Sequence, residues 1–174
     1  SRWVTRVHVE DDATCIWIAE PVIAAANCSH EHTIEAELAP TARLLYREEL
    51  VLGRHDEGPG TMAASLTVRR DGAPLLAQRL DIGPGAPGSA APSVIGPHRA
   101  VGNIVVVDPD GVPGPDSATP SPTSAVMRQD AGCVQATAVA PDAPSLRRQL
   151  DQAMTVLGAP WAAPDPTGWP AVPR

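Results

Sequence analysis

A mainly β fold of layered sheets with one C-terminal helix is predicted by three observations. Apolar residues recur at period two, as in Ile34, Ala36 and Leu38 against Thr33, Glu35 and Glu37. The 174 residues include 20 Pro and 14 Gly, which demand frequent turns and exclude long uninterrupted helices. Helical spacing appears only near the end, where Leu146, Leu150, Ala153, Met154 and Leu157 share one face.

The elements follow in order. Trp3 to Val9 and Thr14 to Ala19 are strand-like runs joined by the acidic turn Glu10 to Ala13, and they read as a hairpin. In the second run Ile16 and Ile18 oppose Cys15 and Trp17, so apolar groups fall on both faces and the strand belongs between two layers. His32 to Leu38 shows the half-buried pattern, with one face toward water. Pro40-Thr41 turns the chain into Arg43 to Leu52. The loop from Gly53 to Gly60 then leads to Met62, Ala64, Leu66 and Val68, again at period two. Asp71-Gly72 is the strongest hairpin signal, because a type I′ turn needs positive φ at both central residues. Leu76, Leu80 and Ile82 lie on the return strand.

Two stretches, Gly83 to Pro92 and Pro109 to Pro122, are Gly, Pro, Ala and Ser rich and read as mobile loops too poor in apolar residues to pack. Ile104 to Val107 is an unbroken apolar run, the mark of an interior strand, and Cys133 to Ala140 offers another. The helix spans Ser145 to Leu157, with Asp142 or Ser145 as its cap and Gly158 then Pro160 ending it. Residues 1–158 therefore read as a single domain. Residues 159–174, with Trp161 and Trp169, read as a Pro-rich extended tail that docks on the domain or stays loose.

Composition bounds the function. With 43% hydrophobic residues the chain can bury one ordinary core. Aromatics are 3% and Phe is absent, so packing rests on Val, Leu, Ile and Ala. A formal charge of -7 argues against nucleic acid and anionic membrane, which need clustered cations. The basic residues are all arginine. Without lysine there is no P-loop NTP hydrolysis and no Schiff-base catalysis. Serine-nucleophile, zincin and dinucleotide fingerprints are also missing, so the chain does not read as an enzyme. Cys15, Cys28 and Cys133 sit among apolar or small residues, a pattern of reduced thiols that fits the cytoplasm. No run of eighteen apolar residues is present.

The stretch Glu48 to Gly60, reading Glu-Glu-Leu-Val-Leu-Gly-Arg-His-Asp-Glu-Gly-Pro-Gly, ends an apolar run in a loop of glycine, acid and imidazole. It resembles the Leu-Gly-Arg, three residues, Gly motif of the urease accessory protein UreD (UreH) family, and of its actinobacterial members in particular. Cys15 to Ile23 resembles that family's apolar strand ending in Pro-Glu-Pro-Val-Ile, with Ala19 in place of the first proline. Asp71-Gly72, the segment Ser93 to Val107 around Val101-Gly102, and Gly132 to Leu157 agree in order. Each motif is common alone, and their order over residues 3 to 157 supplies the specificity. Gly58-Pro59 stands where the family usually has Gly-Glu. Family members also carry several more strands before the equivalent of Trp3, so the chain, opening on Ser1, reads as N-terminally incomplete.

The resemblance implies a β-helix-like arrangement of mainly antiparallel layers and a non-catalytic scaffold in urease maturation. Its implied partners are UreF, the GTP-hydrolysing UreG and apo-urease, with a homodimer as a further assembly. The implied cargo is transient Ni²⁺, with no permanently bound cofactor. The family is thought to pass nickel through an internal polar passage. A nanomolar cage would release its ion too slowly for hand-over, whereas scattered carboxylates exchange quickly. On that hypothesis Glu20, Glu49 and Asp56 are way-stations, and Gly53, Arg54, His55, Glu57 and Gly58 form the motif loop that meets a partner.

Other readings stand beside this one. Cys28, His30 and His32 alternate, so in a strand they project from one face as a nickel or zinc set, whereas a loop at Asn27 to Glu31 would scatter them. His55, Asp56 and Glu57 suit a metal-dependent hydrolase or a solvated turn. Of Glu48 and Glu49, consecutive in a strand, one faces inward and needs Arg47 or Arg54 as partner. Glu20 ends an apolar strand, where backbone amides are its other natural partners. A plain β-sandwich binding module is the remaining alternative.

Overall fold

The computed structural model describes residues 1–114, 119–130, 132–158, 160 and 161. Among the described residues there are eleven strands and one helix: β1 (Arg2–Val9), β2 (Thr14–Ile18), β3 (Val22–Ala24), β4 (Ser29–Leu38), β5 (Arg43–Leu52), β6 (Thr61–Arg70), β7 (Ala73–Ile82), β8 (Ala100–Val107), β9 (Thr119–Pro120), β10 (Ser124–Asp130), β11 (Cys133–Ala140) and α1 (Ala143–Leu157). They form two facing sheets, ordered β1-β4-β6-β7 and β2-β5-β8-β11-β10-β9, with β3 also on β5. The fold is mainly β with a single C-terminal helix, as the sequence predicts.

The first half climbs as stacked coils. The chain alternates between sheets, so β1, β4 and β6 pair in parallel with Trp3 opposite His32 and His32 opposite Ala64. On the other sheet β2 and β3 pair in parallel with β5. The first two runs are therefore not a hairpin: the Glu10–Ala13 turn, closed by Ala13 N–H donating to Glu10 O at 3.1 Å, is a corner between layers. Both strands have an apolar face to bury, and opposite sheets let both turn it to one interior. The sheets are mixed rather than antiparallel throughout. From β6 onward pairing is antiparallel, beginning with the Asp71-Gly72 hairpin, whose φ values of 50° and 72° fit the type I′ reading.

Alternation places the core. Ile34, Ala36, Leu38, Leu66 and Val68 point between the sheets to meet Leu44, Tyr46, Val105 and Val107. Their neighbours Leu45, Ile104, Val106, Val134 and Ala136 point the other way, under Leu146, Leu150, Met154 and Leu157 of α1. Ile16 and Ile18 join the helix side while Cys15 and Trp17 join the inter-sheet side, as their two-faced pattern requires. Gly102 lets the helix in: a Cβ there would lie 2.6 Å from Leu150 Cδ1. Asp142 caps α1 by accepting from Ser145 N–H at 2.7 Å, and Gly158 ends it at φ 71°.

Two low-complexity stretches behave differently from the loops expected. Residues 83–99 fold as successive turns, with Ala86 N–H on Gly83 O and Ser89 N–H on Ala86 O, and they bury Ala86, Ser89 and Ile95. Small residues pack here because their backbones approach closely, which composition alone does not reveal. Val112 in the second stretch is buried in the helix-side cluster, and residues 115–118 lie outside the described residues. Trp161 is fully buried and donates its indole N–H to Asp108 Oδ2 at 3.2 Å, while Trp169 lies outside the described residues.

Candidate functional site

The Gly53–Gly60 loop connects β5 to β6 and is buckled from within. Gly53 N–H and Gly60 N–H both donate to Ala24 O, at 2.8 and 2.9 Å, which ties the loop ends to β3. Gly53 has φ 78°, and a Cβ there would meet backbone oxygens of Glu57 and Gly58 below 3 Å. Glu57 turns back on the loop, accepting Arg54 N–H at 3.1 Å, and that bond first, with Arg54 and Arg99 charges nearby, holds its carboxyl below the usual range. His55 and Asp56 project into solvent with Nε2 and Oδ2 3.2 Å apart, and Asp56 takes φ 56°. Glu57 thus turns away from the His55–Asp56 pair, and the three side chains of the hydrolase reading do not converge.

Arg99 completes the buckle. Its guanidinium donates to Leu52 O at 3.1 and 2.9 Å, to Arg54 O at 3.3 Å and to Glu57 O at 2.5 Å. The sequence reading missed it, since an arginine 47 residues away along the chain leaves no local signal.

Glu48 and Glu49 are both buried, at 7% and 2% exposure, on opposite faces of β5. Glu49 points under the helix, where it accepts from Arg47 at 2.8 Å and from Arg147 at 3.3 Å; Arg47 also holds Asp151 at 2.6 Å. Arg47 is thus the partner that the sequence suggests, and Arg54 is not. Glu48 points between the sheets, where the Tyr46 hydroxyl donates to it at 3.0 Å and Asn103 lies alongside. Burial pushes the Glu48 carboxyl up against the smaller opposing effect of those neighbours.

Glu48 opens on a cavity of about 400 Å³ between the sheets, lined also by Gln78, Arg79, Asn103, Ser124 and Thr137. An amide chain fixes its wall: Gln135 donates to Asn103 Oδ1 at 2.9 Å and to Gln78 Oε1, and accepts from Gln129 at 3.1 Å. The lining is mixed: this polar group around Glu48 faces apolar walls that include Leu50, Leu80, Val101 and Val139.

The remaining candidates lie apart from this cavity. Glu20 is exposed, near enough to Arg147 to stabilise its charge. Cys28 precedes β4, in a turn, with Sγ 4.0 Å from Thr61 O, while His30 and His32 are on the strand beside Trp3. Among the described residues no group of three or more His, Cys, Asp and Glu side chains is placed to hold a metal ion. Cys28, His30 and His32 accordingly do not form the preformed three-ligand set, because strand alternation stops before Cys28. All three cysteines are free. Among the described residues no helix is long and apolar enough to cross a membrane.

The family described as UreD urease accessory protein matches residues 1–172. The chain belongs to the UreD family. It is 43% identical over 152 residues to urease accessory protein UreD 2 of Saccharopolyspora erythraea, covering 84% of this chain and 54% of that protein. It is 44% identical over 159 residues to UreD of Streptomyces coelicolor, covering 90% and 63%, and 36% identical over 188 residues to UreD of Parafrankia, covering 97% and 63%. The chain thus spans less than two thirds of the length of these curated relatives. The UreD family is one of accessory proteins rather than of enzymes, in keeping with the missing catalytic templates. In this UreD-family chain the Leu-Gly-Arg element is the loop that Arg99 buckles, and the two consecutive acids ahead of it point into different layers.

Proposed function

We propose that this UreD-family chain acts in urease maturation as a non-catalytic scaffold that helps deliver nickel to apo-urease, with UreF and UreG as partners, in the cytoplasm. The observation that carries the reading is the cavity between the sheets with the buried Glu48 carboxyl on its wall, in a chain of the UreD family. Nickel is cargo here, not a resident cofactor. A single carboxyl among neutral oxygens binds a divalent ion loosely enough to release it, as transfer requires.

In this reading Glu20 and Asp56 offer surface oxygens to arriving nickel, and Glu48 offers a carboxyl inside. Glu49 contributes less, since two guanidinium groups already occupy its oxygens. The Arg54–Gly58 turn, rigid at its ends and exposed at His55 and Asp56, is the partner-facing element. UreG supplies nucleotide hydrolysis, which a chain without lysine cannot perform through a P-loop. The test is co-purification: the tagged chain should retain a UreF–UreG pair, and its failure to do so while Streptomyces coelicolor UreD retains them would reject the scaffold reading.

A further inference from the structure

The two sheets differ in width. The β1-β4-β6-β7 sheet stops at β7, whereas the facing sheet continues past β11 into β10 and β9. The hydrogen bond from Gln135 to Gln78 sets β11 opposite β7, so β10 overhangs a position at which the narrower sheet has no strand among the described residues. Ala125 and Met127, paired with Thr137 and Gln135, turn half-buried side chains toward that position. Beside it β7 pairs with β6 alone, and along its ten residues the backbone groups of the outer edge make no hydrogen bond among the described residues. The cavity of about 400 Å³ opens here, with Gln78, Arg79 and Leu80 on one side and Ser124 and Ala125 on the other. At the Ala73 end of the edge, Arg70 stands against the β10–β11 turn: a Cβ on Gly132 would lie 3.1 Å from its Nη1. Its Nε and Nη2 are buried and have no hydrogen-bond partner. Donors left unspent in this way cost free energy until an acceptor arrives.

We propose that the β7 edge, roofed by β10, binds one extended segment of a partner protein that is free of proline, apolar at alternate positions and acidic at the end beside Arg70. Main-chain hydrogen bonds to the open edge hold the segment as a fifth strand. Its side chains alternate, so one set rests on Ala125 and Met127 while the other faces solvent beside Arg79, whose charge Asp81 already balances at 2.9 Å. The acid supplies the acceptor that Arg70 lacks, and charge-assisted pairing of guanidinium with carboxylate fixes the segment's end. A length near that of β10, seven residues, covers the groove. A second copy does not fit: antiparallel pairing through its own β7 would bring its β11 to the place that β10 holds. The chain's own end is unsuited too, because Pro164, Pro166, Pro170 and Pro173 interrupt any ladder with residues that have no N–H to donate. No nickel enters this contact, and it does not rest on the function proposed above.

The test is selection of random displayed heptapeptides against the full chain, followed by amide hydrogen exchange with an enriched peptide. Enriched sequences should lack proline, alternate apolar residues and carry an acid at one end. The bound peptide should slow the outward amides of β7, which exchange fast in the free chain. Arg70→Gln should weaken that peptide about tenfold and leave unchanged the affinity of the same peptide with its acid replaced by the amide. Whether or not Arg70→Gln folds, the parent chain should bind the amide form about tenfold less tightly than the acid form. No enrichment, enrichment without an acid, equal affinity for the acid and amide forms, or protection that spares β7 would each overturn the proposal. So would outward β7 amides that are already slow in the free chain, the sign of a second copy or of residues 162–174 in the groove.

Discussion

Glu49 and Arg147, 98 residues apart in sequence, meet beneath α1, where the Arg147 Nη2–Glu49 Oε2 distance is 3.3 Å and Arg47 closes on the same carboxylate from below at 2.8 Å. The helix is therefore latched to β5 by charge as well as by its apolar face. Glu49→Ala leaves the buried Arg47 with the half-exposed Asp151 as its remaining carboxylate partner among the described residues, at a cost of about 3 kcal/mol. The expected result is a lower urea midpoint, partly restored when Arg47→Met is added, and an unchanged midpoint would show the latch to be idle.

Trp161 and Asp108 fasten the chain beyond α1. Asp108 also accepts from Arg43 Nε at 3.3 Å, so the indole closes a small polar cluster at the edge of the helix-side core. Trp161→Ala should cost about 3–5 kcal/mol, as for other fully buried aromatics. Thermal unfolding of the variant checks it; loss of only a few tenths would mean that the indole is dispensable.

The sign of the Glu48 effect on stability is set by its raised carboxyl. An acid whose folded pKa lies above the unfolded one, here ordinarily 4.5, is burdened only once ionised. Its penalty is absent below the unfolded value and complete above the folded one. Glu48→Gln should therefore gain stability relative to the parent as pH rises above that ordinary value. A difference that is flat with pH, measured by denaturant titration across that range, contradicts the assignment.

The Leu-Gly-Arg loop should be sensitive at its hidden contacts rather than at its exposed tips. A Cβ on Gly60 would lie 2.2 Å from Ala25 O and 2.5 Å from Cys28 Sγ, so Gly60→Ala forces a backbone shift costing about 1–3 kcal/mol. Arg99→Ala should speed hydrogen exchange across residues 53–60 with little change elsewhere. His55→Ala, at a side chain almost wholly in solvent, should change neither.

Local pattern made the strands legible. Period-two runs place β4 and β6, apolar runs place β5 and β8, and helical spacing with a cap and a stop places α1. Pairing was not legible, because a parallel coil and an antiparallel hairpin present the same alternation; Glu10–Ala13 looked like a hairpin turn and is a corner between sheets. Burial in residues 83–99 was hidden too, since Gly, Ala and Ser pack by close backbone approach. At the candidate site, the opposite facing of Glu48 and Glu49 and the Arg47 partner follow from adjacency, but the burial of both acids does not. Arg99, Asn103 and Gln135 act between segments far apart in the chain and leave no mark on nearby sequence.

Nickel delivery to urease by this UreD-family chain, as proposed, is decided by urease activation in a purified mixture of the chain, UreF, UreG, GTP, Ni²⁺ and apo-urease. The prediction is urease activity well above that of the same mixture without the chain. No increase, under conditions in which UreD of Streptomyces coelicolor supports activation, would contradict it.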